Sequence, residues 1–364
     1  MFTTRREQVL RLVQAAQLNG LVIVPGPNLL YLTGLSFHLS ERPIVLLLMA
    51  DGRAGLALPQ LEAGKAEKLP FAAQLFVYDD VSGPATAFAQ LRTAFGLGGA
   101  RIGVEGRTIR FLELTLLGDI RPENCNPLMA ELRMRKDAAE IAAMRAATQI
   151  AEQAFSDLLL QIRVGMTEKE VAAELMLQLF RHGSEALPFT PIVASGPNGA
   201  NPHAFPTERA LTAGDLVTID WGASKDHYLA DITRTVAIAE PPTAQMTHAH
   251  QAVLAGNRAG VAACRPGATC AQVDRETRLM IEAAGLGEYF VHRTGHGLGI
   301  EGHEEPDIKA GVHLALDVGM TFTVEPGVYI PGVSGVRIED DIVITADGCE
   351  SLTTLPRELQ VVGG

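Results

Sequence analysis

An internal repeat in the second part of the chain restricts its fold more than any other feature. Arg163-Val164-Gly165-Met166-Thr167 resembles Arg265-Pro266-Gly267-Ala268-Thr269, 102 positions later. At the same offset Val171 matches Val273 and Gly183 matches Gly285, each glycine closing a predicted helix. Further on, Gly214, Thr218, Asp220 and Gly222 find counterparts in Gly319, Thr323, Glu325 and Gly327, now 105 positions apart. Any one match is weak, but a near-constant offset along the whole segment is not. The two halves read as copies of one helix–helix–hairpin unit, expected to pack about a pseudo-two-fold axis.

Each copy ends in a strand that carries an acid. Along Leu216-Val217-Thr218-Ile219-Asp220 the side chains alternate, so Val217 and Ile219 face one way and Thr218 and Asp220 the other. Thr321-Phe322-Thr323-Val324-Glu325 follows the same pattern. After each acid the chain turns, through Gly222 or Pro326-Gly327, and returns with Asp231 or Glu339. Facing each other across the axis, the four carboxylates would meet. Like charges that close force protonation unless cations neutralise them. Two divalent ions offset four charges, and two-metal sites hold their ions about 3.5–4 Å apart. A single strand-end acid is more often an exposed surface group. A duplicated pattern that places four makes that reading the weaker one.

Histidine narrows the chemistry. His292-Arg293-Thr294-Gly295-His296-Gly297-Leu298-Gly299 sets two of the ten histidines among glycines that disfavour helix and let backbones approach closely, so one imidazole can complete a metal site. The glycine spacing is not GxGxxG, which argues against a dinucleotide loop. His303-Glu304-Glu305-Pro306-Asp307 is not HExxH, because Asp307 stands where the second histidine belongs, and no GxSxG elbow occurs. His203 lies in the turn-forming stretch Asn201-Pro202-His203-Ala204 and alone means little.

The 364 residues carry a net charge of −12 without a Lys/Arg run, which argues against nucleic acid as a partner. Four cysteines without a CxxC pair imply no disulfide framework and a reducing compartment. The longest apolar run, Ile44 to Ala50, is far short of the roughly 20 residues of a membrane span. A polar N-terminus breaks any signal core, so the expected location is cytoplasmic.

The first part reads as an α/β domain with a mixed sheet. Thr4 and Glu7 suggest a capping box for a first helix. Leu21 to Val24 is a predicted strand stopped by Pro25-Gly26-Pro27-Asn28, and further strands are expected at Ile44–Met49, around Leu56–Leu58, at Phe76–Tyr78 and at Ile102–Val104. Asn126-Pro127 is the expected hinge, with domains of residues 1–130 and 131–364, and Asp137-x-x-Glu140 caps the first helix of the second domain.

The ordered set Asp220, Asp231, His296, Glu325 and Glu339 resembles the five metal ligands of the pita-bread metallopeptidases: aminopeptidase P, prolidase and methionine aminopeptidase. Ile219-Asp220-Trp221-Gly222, Ala230-Asp231-Ile232-Thr233-Arg234, Gly295-His296-Gly297-Leu298-Gly299, Val324-Glu325-Pro326-Gly327 and Arg337-Ile338-Glu339-Asp340 carry the likeness together. It is strong over residues 135–364. The first 130 residues resemble, more loosely, the N-terminal domain of the creatinase–prolidase branch, which argues against methionine aminopeptidase.

The resemblance implies an α/β N-terminal domain and an α+β pita-bread catalytic domain holding two divalent ions. Asp220 would bind one, His296 and Glu325 the other, with Asp231 and Glu339 bridging both. His203, His292 and His303 look like the family's substrate-binding histidines, and Arg337 like an arginine that orients the site. Four oxygens to one imidazole favour Mn²⁺, with Co²⁺ and Zn²⁺ compatible. The implied reaction is hydrolysis between a first residue and a following proline, by hydroxide that the cations generate from water near neutral pH. His303 or His292 would stabilise the oxyanion and Glu325 would shuttle the proton. Dipeptidases of this group often carry a basic residue after His-Glu-x-Pro, where this chain has Asp307. That departure favours an aminopeptidase P over an Xaa-Pro dipeptidase (prolidase). Relatives that lost the metals serve as binding modules, but they lack the acidic set. The expected partners are proline-containing peptides and a second copy of the chain, with neither nucleic acid nor membrane.

Overall fold

The computed structural model describes residues 2–364, which divide into two compact units, one ending at Arg133 and the other beginning at Met134. In the first, α1 (Phe2–Ala15), α2 (Pro27–Thr33), α3 (Ala63–Ala66), α4 (Ala85–Phe95), α5 (Phe111–Leu117) and α6 (Asn126–Arg133) accompany six strands. These are β1 (Gly20–Ile23), β2 (Val45–Met49), β3 (Ala54–Pro59), β4 (Gln74–Tyr78), β5 (Arg101–Val104) and β6 (Arg121–Asn124), in the order β4-β3-β2-β1-β5-β6. The sheet is mixed, because β1 pairs antiparallel with β2 and parallel with β5. Strands β1 to β3 are buried at every position, as apolar runs covered on both faces should be. On one face Phe88, Leu91 and Phe95 of α4 pack with Val22, Leu47 and Phe76.

Two local expectations fail here, and a third holds with an addition. Pro25-Gly26-Pro27-Asn28 does stop β1, but it also starts α2. Asn126-Pro127 is the first turn of α6 and not a hinge. Proline breaks a strand or ends a linker, yet it costs nothing in a helix's first turn, where its missing N–H would have no partner anyway. The second miss is Thr4. α1 begins at Phe2, whose ring lies against Gly34, so Thr4 is already helical and does not serve as the cap.

The second unit contains α7 (Ala138–Leu159), α8 (Glu168–Arg181), α9 (Ala244–Ala263) and α10 (Cys270–Ala283). After the first helix pair come β7 (Ile192–Ser195), β8 (Leu216–Trp221), β9 (Ser224–Lys225), β10 (Tyr228–Leu229) and β11 (Ile232–Ile238). After the second come β12 (Gly295–Gly297), β13 (Glu304–Ile308), β14 (Thr321–Val324), β15 (Gly327–Ile330), β16 (Ser334–Arg337), β17 (Asp340–Thr345), β18 (Gly348–Ser351) and β19 (Gln360–Val362). One sheet runs β19-β11-β8-β7 and another β13-β12-β14-β17-β18.

The repeat is visible in detail. Thr167 caps α8 and Thr269 caps α10, each Oγ1 accepting the backbone N–H three residues on. Gly214 and Gly319 enter β8 and β14 from the same left-handed turn, with φ of 82° and 84°. Each copy then supplies an antiparallel pair, β8 with β11 and β14 with β17. The copies join where Thr233 and Glu339 form an isolated antiparallel bridge. Behind the first pair, Val217, Ile219 and Trp221 pack on α7 and α8, with Trp221 stacked on Phe155 at 4.3 Å between ring centres. Phe322, Val324, Ile342 and Ile344 form the matching core of the second. No helix among the described residues is long and apolar enough to cross a membrane.

Candidate metal centre

Strand alternation places Asp220. With Val217, Ile219 and Trp221 in the core, Asp220 emerges on the opposite face, in register with Ile192 on β7 and Thr233 on β11. The hairpin then folds back tightly at Gly222, where a Cβ would lie 2.0 Å from the Ala230 carbonyl oxygen. Only glycine permits that approach, which brings Asp231 next to Asp220. At Gly295 a Cβ would lie 1.8 Å from the Thr323 carbonyl oxygen, so glycine lets β12 run against β14 and sets His296 beside Glu325.

All five expected ligands come together. Among the described residues, donor atoms of Asp220, Asp231 and Glu339 lie within 4.8 Å of one another, as do those of His296, Glu325 and Glu339. A third group, Asp231, His296 and His303, overlaps both. Glu339 therefore belongs to two adjacent groups. His296 Nε2 is 3.3 Å from Glu325 Oε1 and 3.7 Å from Asp231 Oδ2, while Nδ1 is 3.1 Å from the Gly297 carbonyl oxygen. A carbonyl only accepts, so Nδ1 carries the proton and Nε2 turns its lone pair toward the acids.

The electrostatics are those of uncompensated charge. Burial first, and then the neighbouring carboxylates, push Asp231 and Glu339 well above the usual carboxylate range. Glu325 is pushed up to about 7 by burial, with Asp220 adding to the rise and Arg337 and Arg293 opposing it. Burial lowers His296 to about 3.

Arg337 is the cation embedded beside the four acids. Its Nη2 donates to Asp220 Oδ2 at 2.5 Å, its Nη1 to the Tyr329 hydroxyl at 2.7 Å and its Nε to Thr233 Oγ1 at 3.1 Å. Thr233 in turn donates to Glu339 Oε2 at 2.6 Å. Asp220 Oδ1 is buried with no hydrogen-bond partner. A converging set of acceptor-only oxygens, one of them orphaned, with one imidazole lone pair and a charge deficit, fits divalent cations.

The other expected residues are more dispersed. His292 Nδ1 donates to the Arg293 carbonyl oxygen at 2.7 Å, which leaves Nε2 to accept from the Tyr329 hydroxyl at 2.9 Å, and burial lowers the ring to about 4. The His303 ring lies 3.9 Å from that of His296, and its Nδ1 is 3.2 Å from Arg293 Nη2. Since a guanidinium only donates, that Nδ1 accepts, leaving Nε2 of the neutral ring as an N–H donor. His203 is exposed on its loop and outside the three ligand groups. Asp307, opposite His296 on β13, accepts from Arg293 Nη1 and from Lys309 Nζ, the latter at 2.5 Å.

Sequence reasoning missed several supports. Tyr329 links His292 to Arg337, and Thr233 links Arg337 to Glu339. Asp341 accepts the Asp231 backbone N–H at 3.2 Å. Buried Asp340 is held by Arg234, Arg357 and Asn257. The available signal was the acidic run Glu339-Asp340-Asp341 entering an otherwise apolar strand.

Residues 142–346 match the model of metallopeptidase family M24, and residues 5–135 that of the creatinase/prolidase N-terminal domain. The chain is 38% identical over 359 residues to the probable dipeptidase PepE of Mycobacterium tuberculosis, covering 95% of this chain and 93% of that protein. Its fold matches a prolidase from Thermococcus sibiricus with a TM-score of 0.95 at 33% identity, over 100% of this chain and 99% of that one. It matches an Xaa-Pro dipeptidase from Bacillus anthracis with a TM-score of 0.90 at 32% identity, over the full length of both chains. Convergent ligands on a duplicated pita-bread scaffold and these matches identify the chain as a metallo-exopeptidase belonging to metallopeptidase family M24.

Proposed function

We propose that this chain is an Xaa-Pro dipeptidase, hydrolysing dipeptides at the bond to a C-terminal proline. The observation that carries the reading is the complete set of converging donors in a chain that aligns from end to end with an Xaa-Pro dipeptidase. The aminopeptidase P expectation is not supported, since the similar chains just described are dipeptidases and a prolidase. It rested on an acid standing where a cation was sought, and Asp307 is paired with two cations.

In this reading Asp220, Asp231, His296, Glu325 and Glu339 would hold the ions. Divalent cations, Mn²⁺ by the donor set, would supply Lewis acidity that polarises a carbonyl and acidifies water. The remaining work belongs to side chains. Arg337 fixes Asp220 and offsets part of the acidic charge. His303, with its Nε2–H, donates to the oxygen that gains charge as the scissile carbonyl becomes tetrahedral. His292 and the exposed His203 border substrate. Glu325 passes a proton to the leaving prolyl nitrogen, which departs as a secondary amine. A homodimer acting in the cytoplasm completes the proposal.

The test compares hydrolysis of Ala-Pro and Ala-Pro-Ala by the Mn²⁺-loaded protein. The dipeptide should be cleaved with the higher kcat/KM. Faster cleavage of the tripeptide would restore the aminopeptidase, and cleavage of neither at any metal load would remove proline peptides altogether.

A further inference from the structure

A dipeptide differs from a longer peptide by a free carboxylate next to the scissile bond. In Xaa-Pro the carboxylate carbon is three bonds from the scissile carbonyl carbon, which puts its oxygens roughly 3–4.5 Å from that carbon. A guanidinium bonding them at about 2.8 Å must lie within roughly 7 Å of the reacting centre. Three arginines border the cluster, and Arg234 is committed to the Glu339 carbonyl and to Asp340. Arg337 is committed, each of its three nitrogens already donating to Asp220, Tyr329 or Thr233.

Arg293 is placed differently. Its Nη2 is 3.2 Å from Nδ1 of His303, whose own ring lies 3.9 Å from that of the candidate ligand His296. The guanidinium is thus one imidazole removed from the acids, and its charge reaches Glu325. Its Nη1 is gripped by Asp307 Oδ1, while Lys309 takes Asp307 Oδ2 at 2.5 Å. Its side chain is 29% exposed, open enough to meet a ligand. Of its five N–H groups, these contacts engage only two.

We propose that Arg293, braced by Asp307, binds the C-terminal carboxylate of the substrate and sets the preference for dipeptides. This rests on the dipeptidase reading. Asp307 orients the guanidinium fork and balances its charge before substrate arrives, and Lys309 keeps Asp307 fixed from the other side. The acid at position 307 therefore recruits a cation from position 293.

The test measures kcat and KM for Ala-Pro and for Ala-Pro amide, which lacks the terminal charge, in wild type, Arg293→Gln, Arg293→Lys and Asp307→Asn. In Arg293→Gln the ratio of kcat/KM values, acid over amide, should fall by roughly 10–100-fold, mainly through KM for the acid. Arg293→Lys should recover part of that ratio, and Asp307→Asn should lower it less than Arg293→Gln. Loss of the contact to His303 would slow both substrates alike and leave the ratio in place, so the ratio isolates the carboxylate. Metal content and melting temperature identify a variant that has not folded, and Asp307→Asn then carries the test. If wild type does not prefer the acid to the amide, the dipeptidase reading falls. If wild type does and Arg293→Gln keeps that preference, the assignment to Arg293 alone is wrong.

Discussion

Arg337 Nη2 holds one oxygen of Asp220 at 2.5 Å, and the other oxygen of the same carboxylate is buried without a partner. One side of Asp220 is locked and the other is aimed at the centre. Replacing Arg337 with Met should release Asp220 and remove a positive charge from among the acids. Loss of a partner that orients a ligand typically costs 10–100-fold in metal affinity. Titration of chelator-stripped protein with Mn²⁺ should show a loss of that size, and Arg337→Lys should recover only part because it cannot reproduce the three-way fork. Unchanged affinity would mean that Asp220 is oriented by its strand alone.

Metal removal should expose the repulsion among the acids. Ions that bind only the folded chain stabilise it by about 2.7 kcal/mol at 100 times their dissociation constant. Chelation should lower the melting temperature and Mn²⁺ should restore it. Asp231→Asn and Glu339→Gln should abolish that response while leaving the metal-free melting temperature unchanged or higher, since each removes a buried like charge. A metal-induced rise that survives in both variants would place the ions elsewhere.

Acid sensitivity has a separate source in α9. His250 is 3% exposed, its Nε2 has no partner, and burial lowers it to about 4 against a weak opposing pull from Glu358. The unfolded chain, with an ordinary histidine near 6.5, takes up the proton first. Its share of stability is therefore full above about pH 6.5 and is lost as pH falls through about 4, at most about 3 kcal/mol. At saturating Mn²⁺, urea melts from pH 7 to 4.5 should show a shallower decline for His250→Leu than for wild type. Parallel declines would rule out His250 as the cause.

Phe155 and Trp221 form the floor beneath Asp220. The rings stack at 4.3 Å, and the indole N–H donates to the Ala151 carbonyl at 3.0 Å. Phe155→Ala should cost about 3–5 kcal/mol by opening a cavity in a fully buried cluster. Trp221 is the only tryptophan, so its fluorescence follows unfolding of this core directly. A loss under 1 kcal/mol would show that the floor repacks.

Much of this architecture is written in local patterns. Period-2 alternation placed Asp220 on β8 and Glu325 one residue past the end of β14, and the duplicated glycines and threonines marked where each copy turns and where its helices begin. What escaped depended on contacts between segments distant in the chain. Tyr329 and Thr233 carry no local sign of a role, because their hydroxyls matter only once β15, β11 and Arg337 are brought together. Asp307 misled because a single position was read for charge, whereas the ion pair with Arg293 forms across the β12–β13 pairing. Pro27 and Pro127 were read as breaks because a proline that ends one element and a proline that begins the next look alike without the fold.

The backbone bridge between Thr233 and Glu339 has a consequence for how ions come and go. Glu339 contributes to both adjacent ligand groups, and the strand that positions it is seamed to the opposite copy at that residue. The first copy gives only Asp220 and Asp231 and needs Glu339 to complete its group, whereas His296, Glu325 and Glu339 all come from the second. Slackening the seam disturbs both positions at once, and the pair should be gained and lost together and not one after the other.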